Sequence, residues 1–287
     1  MNASTIPTHT VLVDELRIRY ADSGTTGGPV ILLTSPWPES LFAFRRVWPA
    51  LAGTGRLVAV DLPGFGHSQG RADVLTPSAM GDFLGRFITE LGLGTPHLVA
   101  PDVGASAALF LAGRHPDAVR SLVAGGGGAA YPLDVTGTLA DIIAAPGIEV
   151  FEDQDIRATI GATVEPAAPR GQEPDVWEDY VSAYENGRFA ESTRYVRSYP
   201  QQLPVLRDLL PAIRVPVHVF AAANDPLVPV SNGEYLAERI PGSKLTILPA
   251  SHFAWEEVPD RFAAIVTDWV TCAEDAKTMQ THTDMTA

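Results

Sequence analysis

Cysteine is nearly absent from the 287 residues: the one thiol, Cys272, excludes an intrachain disulfide and sits near the C-terminal tail, where a catalytic role is not expected. Basic charge is scarce too. Twenty Lys and Arg against 34 Asp and Glu leave a formal charge of −14. That argues against a nucleic-acid or anionic-membrane partner, since either needs a basic face. No apolar run approaches the ~20 residues of a membrane-spanning helix, and Met1 to His9 lack the charged and apolar regions of a signal peptide. Internal repeats and low-complexity tracts are missing as well. The expectation is a soluble cytoplasmic protein in a reducing compartment. Apolar residues are plentiful: 46% of the chain is hydrophobic and 19% charged, enough for a large core in one domain, or one domain with an insertion.

The chain alternates strands with helices. Thr10 to Val13 and Leu16 to Ala21 read as two strands joined by a tight Asp14-Glu15 turn. Val30 to Leu33, Leu57 to Val60, Leu98 to Ala100 and Leu122 to Ala124 are short, wholly apolar runs, as strands inside a parallel sheet should be. Between them Leu41 to Ala52, Pro77 to Leu91 and Ala105 to Leu111 read as helices. From about Pro132 to Ile213 the alternation stops, leaving helical stretches with proline- and glycine-rich connections such as Glu165 to Pro174. It resumes with Val217 to Phe220 and Leu245 to Leu248 as strands, and Val230 to Arg239 and Asp260 to Val270 as helices. After Thr271 a polar, frayed tail is expected. The pattern predicts a mostly parallel sheet covered on both faces, with a helical lid over the strand ends where such sheets bind ligands.

One stretch organises the rest. In Ala100-Pro101-Asp102-Val103-Gly104 an acid stands between a buried strand and a helix, with a small residue two positions away on each side. That is the pattern of a nucleophile elbow, a sharp turn that pushes one side chain out. Two plainer readings accompany it. Asp102 is also a good helix cap, and shifting the frame would make Ser106 the nucleophile, a full turn inside the helix. Two later motifs bear on the choice. Asp225 follows the strand ending at Phe220, and His252 follows the last strand. The order Asp102, Asp225, His252 is the nucleophile, acid, histidine order of α/β-hydrolases.

With these residues in place, the chain resembles an α/β-hydrolase over nearly its whole length. The resemblance implies an α/β fold with a mostly parallel central sheet flanked by helices. A helical cap (132–213) would be inserted between strands 6 and 7 of a core formed by 1–131 and 214–275, with 276–287 as a flexible tail. An aspartate at the elbow is characteristic of epoxide hydrolases and of haloalkane or haloacid dehalogenases. Trp37-Pro38-Glu39-Ser40 resembles the His-Gly-x-Pro-Glu-Ser loop of epoxide hydrolases, whose x residue supplies an oxyanion-hole N–H; here that residue is Trp37, with Val103 as the second donor. Asp61 to Ser68 resembles the structural glycine turn of the superfamily, and His67 is read as structural with it. The chain departs from the pattern at Ser35-Pro36, which replaces the His-Gly pair. A flexible glycine thereby becomes a rigid residue without a donor. Pro101, directly before the acid, confines Ala100 to extended angles, as suits a strand end.

A carboxylate is a weak nucleophile and suits an electrophilic carbon, as in a strained epoxide or an alkyl halide. Both would give an alkyl ester on Asp102, hydrolysed by water that His252, held by Asp225, activates. An epoxide oxygen needs an acid as well, which in epoxide hydrolases is a pair of cap tyrosines. Phe189 to Tyr195 is similar to the late-cap segment that carries one of them, making Tyr195 the expected acid. Its partner is left open among Tyr131, Tyr180, Tyr184 and Tyr199. A halide needs N–H donors instead. Haloalkane dehalogenases carry Trp after the nucleophile, where this chain has Val103, and the arginines of the fluoroacetate type are replaced by Ala, Ser, Ala, Ala at 105–108. Trp37 and Trp177 are the remaining indoles considered as halide donors. Epoxide hydrolysis is the expected activity, with dehalogenation, an ester, lactone or biosynthetic intermediate, and a non-catalytic binding module as alternatives. The expected substrate is small and hydrophobic, suggested by Leu139, Ile142, Ile143, Phe151 and Val181. No cofactor or metal is expected, and the oligomeric state stays open, a homodimer included.

Overall fold

A computed structural model describes residues 6–165 and 173–286. The connection expected from Glu165 to Pro174 lies mostly outside the described residues. Eight strands form one sheet: β1 (Thr8–Val13), β2 (Leu16–Asp22), β3 (Val30–Thr34), β4 (Arg56–Val60), β5 (His97–Pro101), β6 (Ser121–Gly125), β7 (Val217–Ala222) and β8 (Lys244–Leu248). Their order across the sheet is β1-β2-β4-β3-β5-β6-β7-β8. β1 runs antiparallel to β2, and β2 antiparallel to β4, while all other neighbours are parallel. Asp14 and Glu15 both take positive φ (52° and 66°), as a two-residue hairpin between Val13 and Leu16 requires. All five residues of β5 and all five of β6 are buried, because helices cover both faces of a parallel sheet.

The helices are α1 (Trp48–Leu51), α2 (Pro77–Glu90), α3 (Val103–Arg114), α4 (Gly137–Ala144), α5 (Ile156–Val164), α6 (Pro174–Ala183), α7 (Arg188–Arg197), α8 (Tyr199–Leu209), α9 (Val230–Arg239), α10 (Ala254–Glu257) and α11 (Pro259–Thr286). Helices α4 to α8 all fall between β6 and β7. Two local expectations are corrected. The single helix expected over Leu41 to Ala52 is a 3-10 turn, Leu41–Arg46, followed by the one-turn α1. Pro49 breaks it, having no N–H for the carbonyl four residues back. The last helix does not stop at Val270 but continues to Thr286. From Asp260 onward it meets neither glycine nor proline, and its Ala, Glu, Lys, Met and Gln residues are good helix formers. Among the described residues no helix is long and apolar enough to cross a membrane.

The strand order places the site. The chain leaves β3 toward β4 on one side and returns to β5 on the other, so the sheet reverses direction between β3 and β5. Loops leaving two such strands diverge and open a crevice at their C-terminal ends. These are the loops that carry Trp37 and Asp102.

Candidate active site

Asp102 stands between β5 and α3 with φ 51° and ψ −126°, outside the regions an L-residue favours. Close packing around it enforces that backbone. A Cβ on Gly104 would lie 2.0 Å from Thr34 Oγ1, and one on Gly127 would lie 2.1 Å from the Asp102 carbonyl oxygen. The Asp102 N–H donates to the Gly125 carbonyl (2.9 Å), which ties the turn to β6. Its carboxylate makes no capping bond to α3, so the helix-cap reading does not describe this side chain. Oδ2 instead accepts the Trp37 backbone N–H at 2.6 Å, while Oδ1 lies 3.6 Å from His252 Nε2. Val103 opens α3, where backbone N–H groups have no partner within the helix.

His252 follows β8 and is held from behind, its Nδ1 lying 2.8 Å from Asp225 Oδ2. The other Asp225 oxygen accepts the N–H groups of Leu227 (2.8 Å) and Val228 (2.9 Å), so the loop after β7 fixes the acid in place. Burial alone would lower the imidazole pKa, but hydrogen bonds and charge from Asp102 and Asp225 outweigh it and push it up to about 10. The stability that protonation of His252 contributes is therefore fully present below about pH 6.5, its ordinary value, and is lost as pH rises through about 10. The melting temperature is expected to fall across that window more steeply in the parent protein than in His252→Gln. Equal slopes would contradict the raised pKa.

Asp102 and His252 open into a cavity of about 640 Å³, walled by Trp37, Phe253 and Leu227 from the strand-end loops and by Leu139, Ile142, Phe151, Phe189 and Val196 from the segment between β6 and β7. Asp141, Gln154, Thr159 and Thr163 add polar groups. Among the described residues, no cluster of three His, Cys, Asp or Glu side chains is arranged to hold a metal ion.

The structure thus brings Asp102, Asp225, His252 and the Trp37 N–H together, and it corrects the expectation for Tyr195. That side chain is fully buried, and its hydroxyl donates to the Val103 carbonyl at 2.6 Å and lies 3.1 Å from Ser106 Oγ. It does not line the cavity. Ser106 is likewise spent beneath the helix, bonded to Tyr195. Tyr180 donates to Glu256 Oε1 (3.4 Å), Tyr184 to the Glu39 carbonyl (2.9 Å), and Tyr131 lies under the Arg207 guanidinium. Tyr199 is the tyrosine on the cavity wall. Burial, with Tyr195 and Asp102 close by, outweighs a hydrogen bond from Ser106 and pushes its phenol well above 10, so it keeps its proton. The two tyrosines lie four apart in sequence and their rings stay edge to face, 5.9 Å between centroids, because Ser198 keeps helical backbone between α7 and α8. The indoles considered as halide donors are also placed otherwise: Trp37 Nε1 donates to Ser192 Oγ (2.9 Å), and Trp177 is not on the cavity wall. His67 is exposed, and its Nε2 donates to the Asp179 carbonyl (3.1 Å), outside the cavity.

Comparison with known proteins identifies the fold family. A sequence model of the alpha/beta hydrolase fold matches residues 29–259. A 2-hydroxy-6-oxononadienedioate/2-hydroxy-6-oxononatrienedioate hydrolase from Burkholderia vietnamiensis is 27% identical over 89% of this chain and 91% of its own length. Haloalkane dehalogenase 2 from Mycobacterium bovis is 28% identical over 88% of this chain and 91% of its own. Among solved structures, an epoxide hydrolase from Vigna radiata superimposes with a TM-score of 0.78 at 19% identity, covering 94% of this chain and 99% of that one. With the fold matched over so much of its length, the chain belongs to the α/β-hydrolase family.

Proposed function

We propose that the protein hydrolyses a small apolar epoxide to a vicinal diol through a covalent ester on Asp102. The observation that carries this reading is the division of labour within one buried carboxylate: Oδ2 is held by the Trp37 N–H, and Oδ1 lies beside His252 at an apolar cavity. Oδ1 attacks a ring carbon, the C–O bond breaks, and the oxygen takes the Tyr199 proton. Alkylation removes the charge of Asp102, and with it much of what keeps His252 protonated. Burial then lowers the imidazole pKa, so His252 releases its proton, which restores the Tyr199 phenol through solvent, and it becomes a base when water must be activated. His252 takes a proton from water and the resulting hydroxide attacks Cγ. The oxyanion forms on Oδ2, facing the N–H groups of Trp37 and Val103. Collapse of that intermediate expels the diol, whose oxygen takes a proton from His252, and the Asp102 carboxyl then returns its own proton to His252, restoring the carboxylate and imidazolium.

In this reading residues 132–213 act as the cap and residues 1–131 and 214–275 as the core. The support is that residues from α4, α5 and α7 wall the cavity above the strand ends.

The test is His252→Gln incubated with styrene oxide and, separately, with 1-bromobutane. A stable adduct equal to the whole epoxide mass on the Asp102 peptide is expected. An adduct lighter by hydrogen bromide, with none from the epoxide, would establish dehalogenation instead. Two observations favour that second reading: one tyrosine rather than two on the cavity wall, since a halide leaves without a proton, and the likeness to haloalkane dehalogenase 2. Tyr199→Phe separates the chemistries. Epoxide opening should fall by about 10²–10⁴, the usual worth of a general acid, while alkylation by a bromide stays unchanged. Equal loss with both substrates would remove Tyr199 as the acid.

A further inference from the structure

The Trp37 loop lies under three side chains from the segment between β6 and β7. Trp37 Nε1 donates to Ser192 Oγ (2.9 Å), and Ser192 donates in turn to the Phe189 carbonyl (2.7 Å). Tyr184 Oη donates to the Glu39 carbonyl (2.9 Å) and accepts the Gly66 N–H (3.2 Å), so one phenol joins the loop to the glycine turn. Ser40 Oγ donates to Asp179 Oδ2 (2.5 Å), and Arg19 holds that carboxylate through two bonds of 2.6 and 2.9 Å. Residues 37, 39 and 40 are therefore each gripped from above. Tyr184 and Ser192 do not touch Asp102, and neither lines the cavity.

We propose that Tyr184 and Ser192 are positioning residues that hold the Trp37–Ser40 loop where the Trp37 N–H meets Asp102 Oδ2. The inference deepens the function proposed above and rests on its reading of Asp102 as nucleophile. Pro36 and Pro38 lock their own φ angles and confine Ser35 and Trp37 to extended backbone, but the torsions of Glu39 and Ser40 stay soft. The two anchors straddle Trp37, one on its indole and one on the carbonyl two residues on. Removing the Tyr184 hydroxyl leaves a buried carbonyl and a buried N–H without this partner, and the loop relieves that cost by shifting. An oxyanion donor acts only if it is already in place when charge develops. Because the oxyanion of ester hydrolysis forms on Oδ2, loosening the loop slows that step far more than the initial attack by Oδ1.

The test uses Tyr184→Phe and Ser192→Ala in the full chain, with Ser192→Thr as the conservative control that keeps an acceptor. The direct readout is the Trp37 backbone amide proton, observed by NMR in protein labelled with ¹⁵N-tryptophan. A short bond to a carboxylate holds this proton downfield. It should move upfield in Tyr184→Phe and Ser192→Ala and return in Ser192→Thr. Single-turnover mass measurements with styrene oxide should then show ester breakdown slowed about 10–100-fold, below the full loss of an oxyanion donor, with ester formation changed less than about threefold. A Trp37 amide unmoved in either folded variant overturns the proposal, as does equal slowing of both steps. Should the parent protein form no ester with styrene oxide while the amide still moves, the epoxide reading fails and the positioning role stands.

Discussion

Asp102→Ala is expected to lower turnover by about 10⁴–10⁶, the loss seen when a covalent nucleophile is removed from a working triad. Among the described residues no other carboxylate is placed to replace it. Asp225 is turned away behind His252 and bound by two backbone N–H groups, and Asp141, the other acid on the cavity wall, comes from α4 rather than from a strand end. The same variant separates covalent chemistry from direct hydrolysis. An acyl substrate attacked by Asp102 would give an anhydride, so an ester- or lactone-cleaving enzyme on this scaffold would use His252 to activate water directly. Such an activity would survive Asp102→Ala within about tenfold while being lost in His252→Ala. Steady-state rates for both variants, on an epoxide and on an ester, decide between the two. A pure binding role would leave ligand affinity intact in both.

Gly127→Ala should be strongly disruptive, because it strikes the Asp102 backbone directly. The added methyl would stand 2.1 Å from the Asp102 carbonyl oxygen and 2.9 Å from its carbonyl carbon. Both are backbone atoms, and the same residue is anchored through its N–H to Gly125. A side chain can rotate away from a clash, whereas this turn has to move as a unit. Overpacking of this kind costs about 3 kcal/mol or more, which in a domain of this size lowers the melting temperature by roughly 6–12 °C. Activity should fall further than stability explains, because displacing the Asp102 backbone also moves its carboxylate off the Trp37 N–H. Thermal unfolding and single-turnover kinetics on the same preparation test both halves. A variant with unchanged melting and normal ester formation would contradict the packing described for the elbow.

Much of this protein can be read along the chain because the determining forces there are local. Wholly apolar runs such as Val30 to Leu33 and Leu98 to Ala100 specify strands buried on both faces, and the small residues around Asp102 specify a turn that admits nothing larger. Chain order alone put Asp102, Asp225 and His252 at strand ends, those of β5, β7 and β8, and in a parallel sheet such ends share one edge. Other features follow from how elements lie against one another. Pro49 was visible in the sequence, yet the helical pattern around it masked the break that the structure shows between Arg46 and Trp48. Which tyrosine borders the cavity depended on how α7 and α8 lie over α3, and a hydrophobic pattern does not encode that. The outcome of replacing His-Gly with Ser35-Pro36 was likewise set at a distance. The partners of that loop, Tyr184, Ser192 and Asp179, come from more than a hundred residues away. Local sequence determined the strands, the elbow and the order of the site residues, because backbone sterics and burial act over a few residues. Tertiary structure alone decided the orientation of the tyrosines and the anchoring of the Trp37 loop, because a hydrogen bond to a distant residue exists only once both surfaces have been brought together.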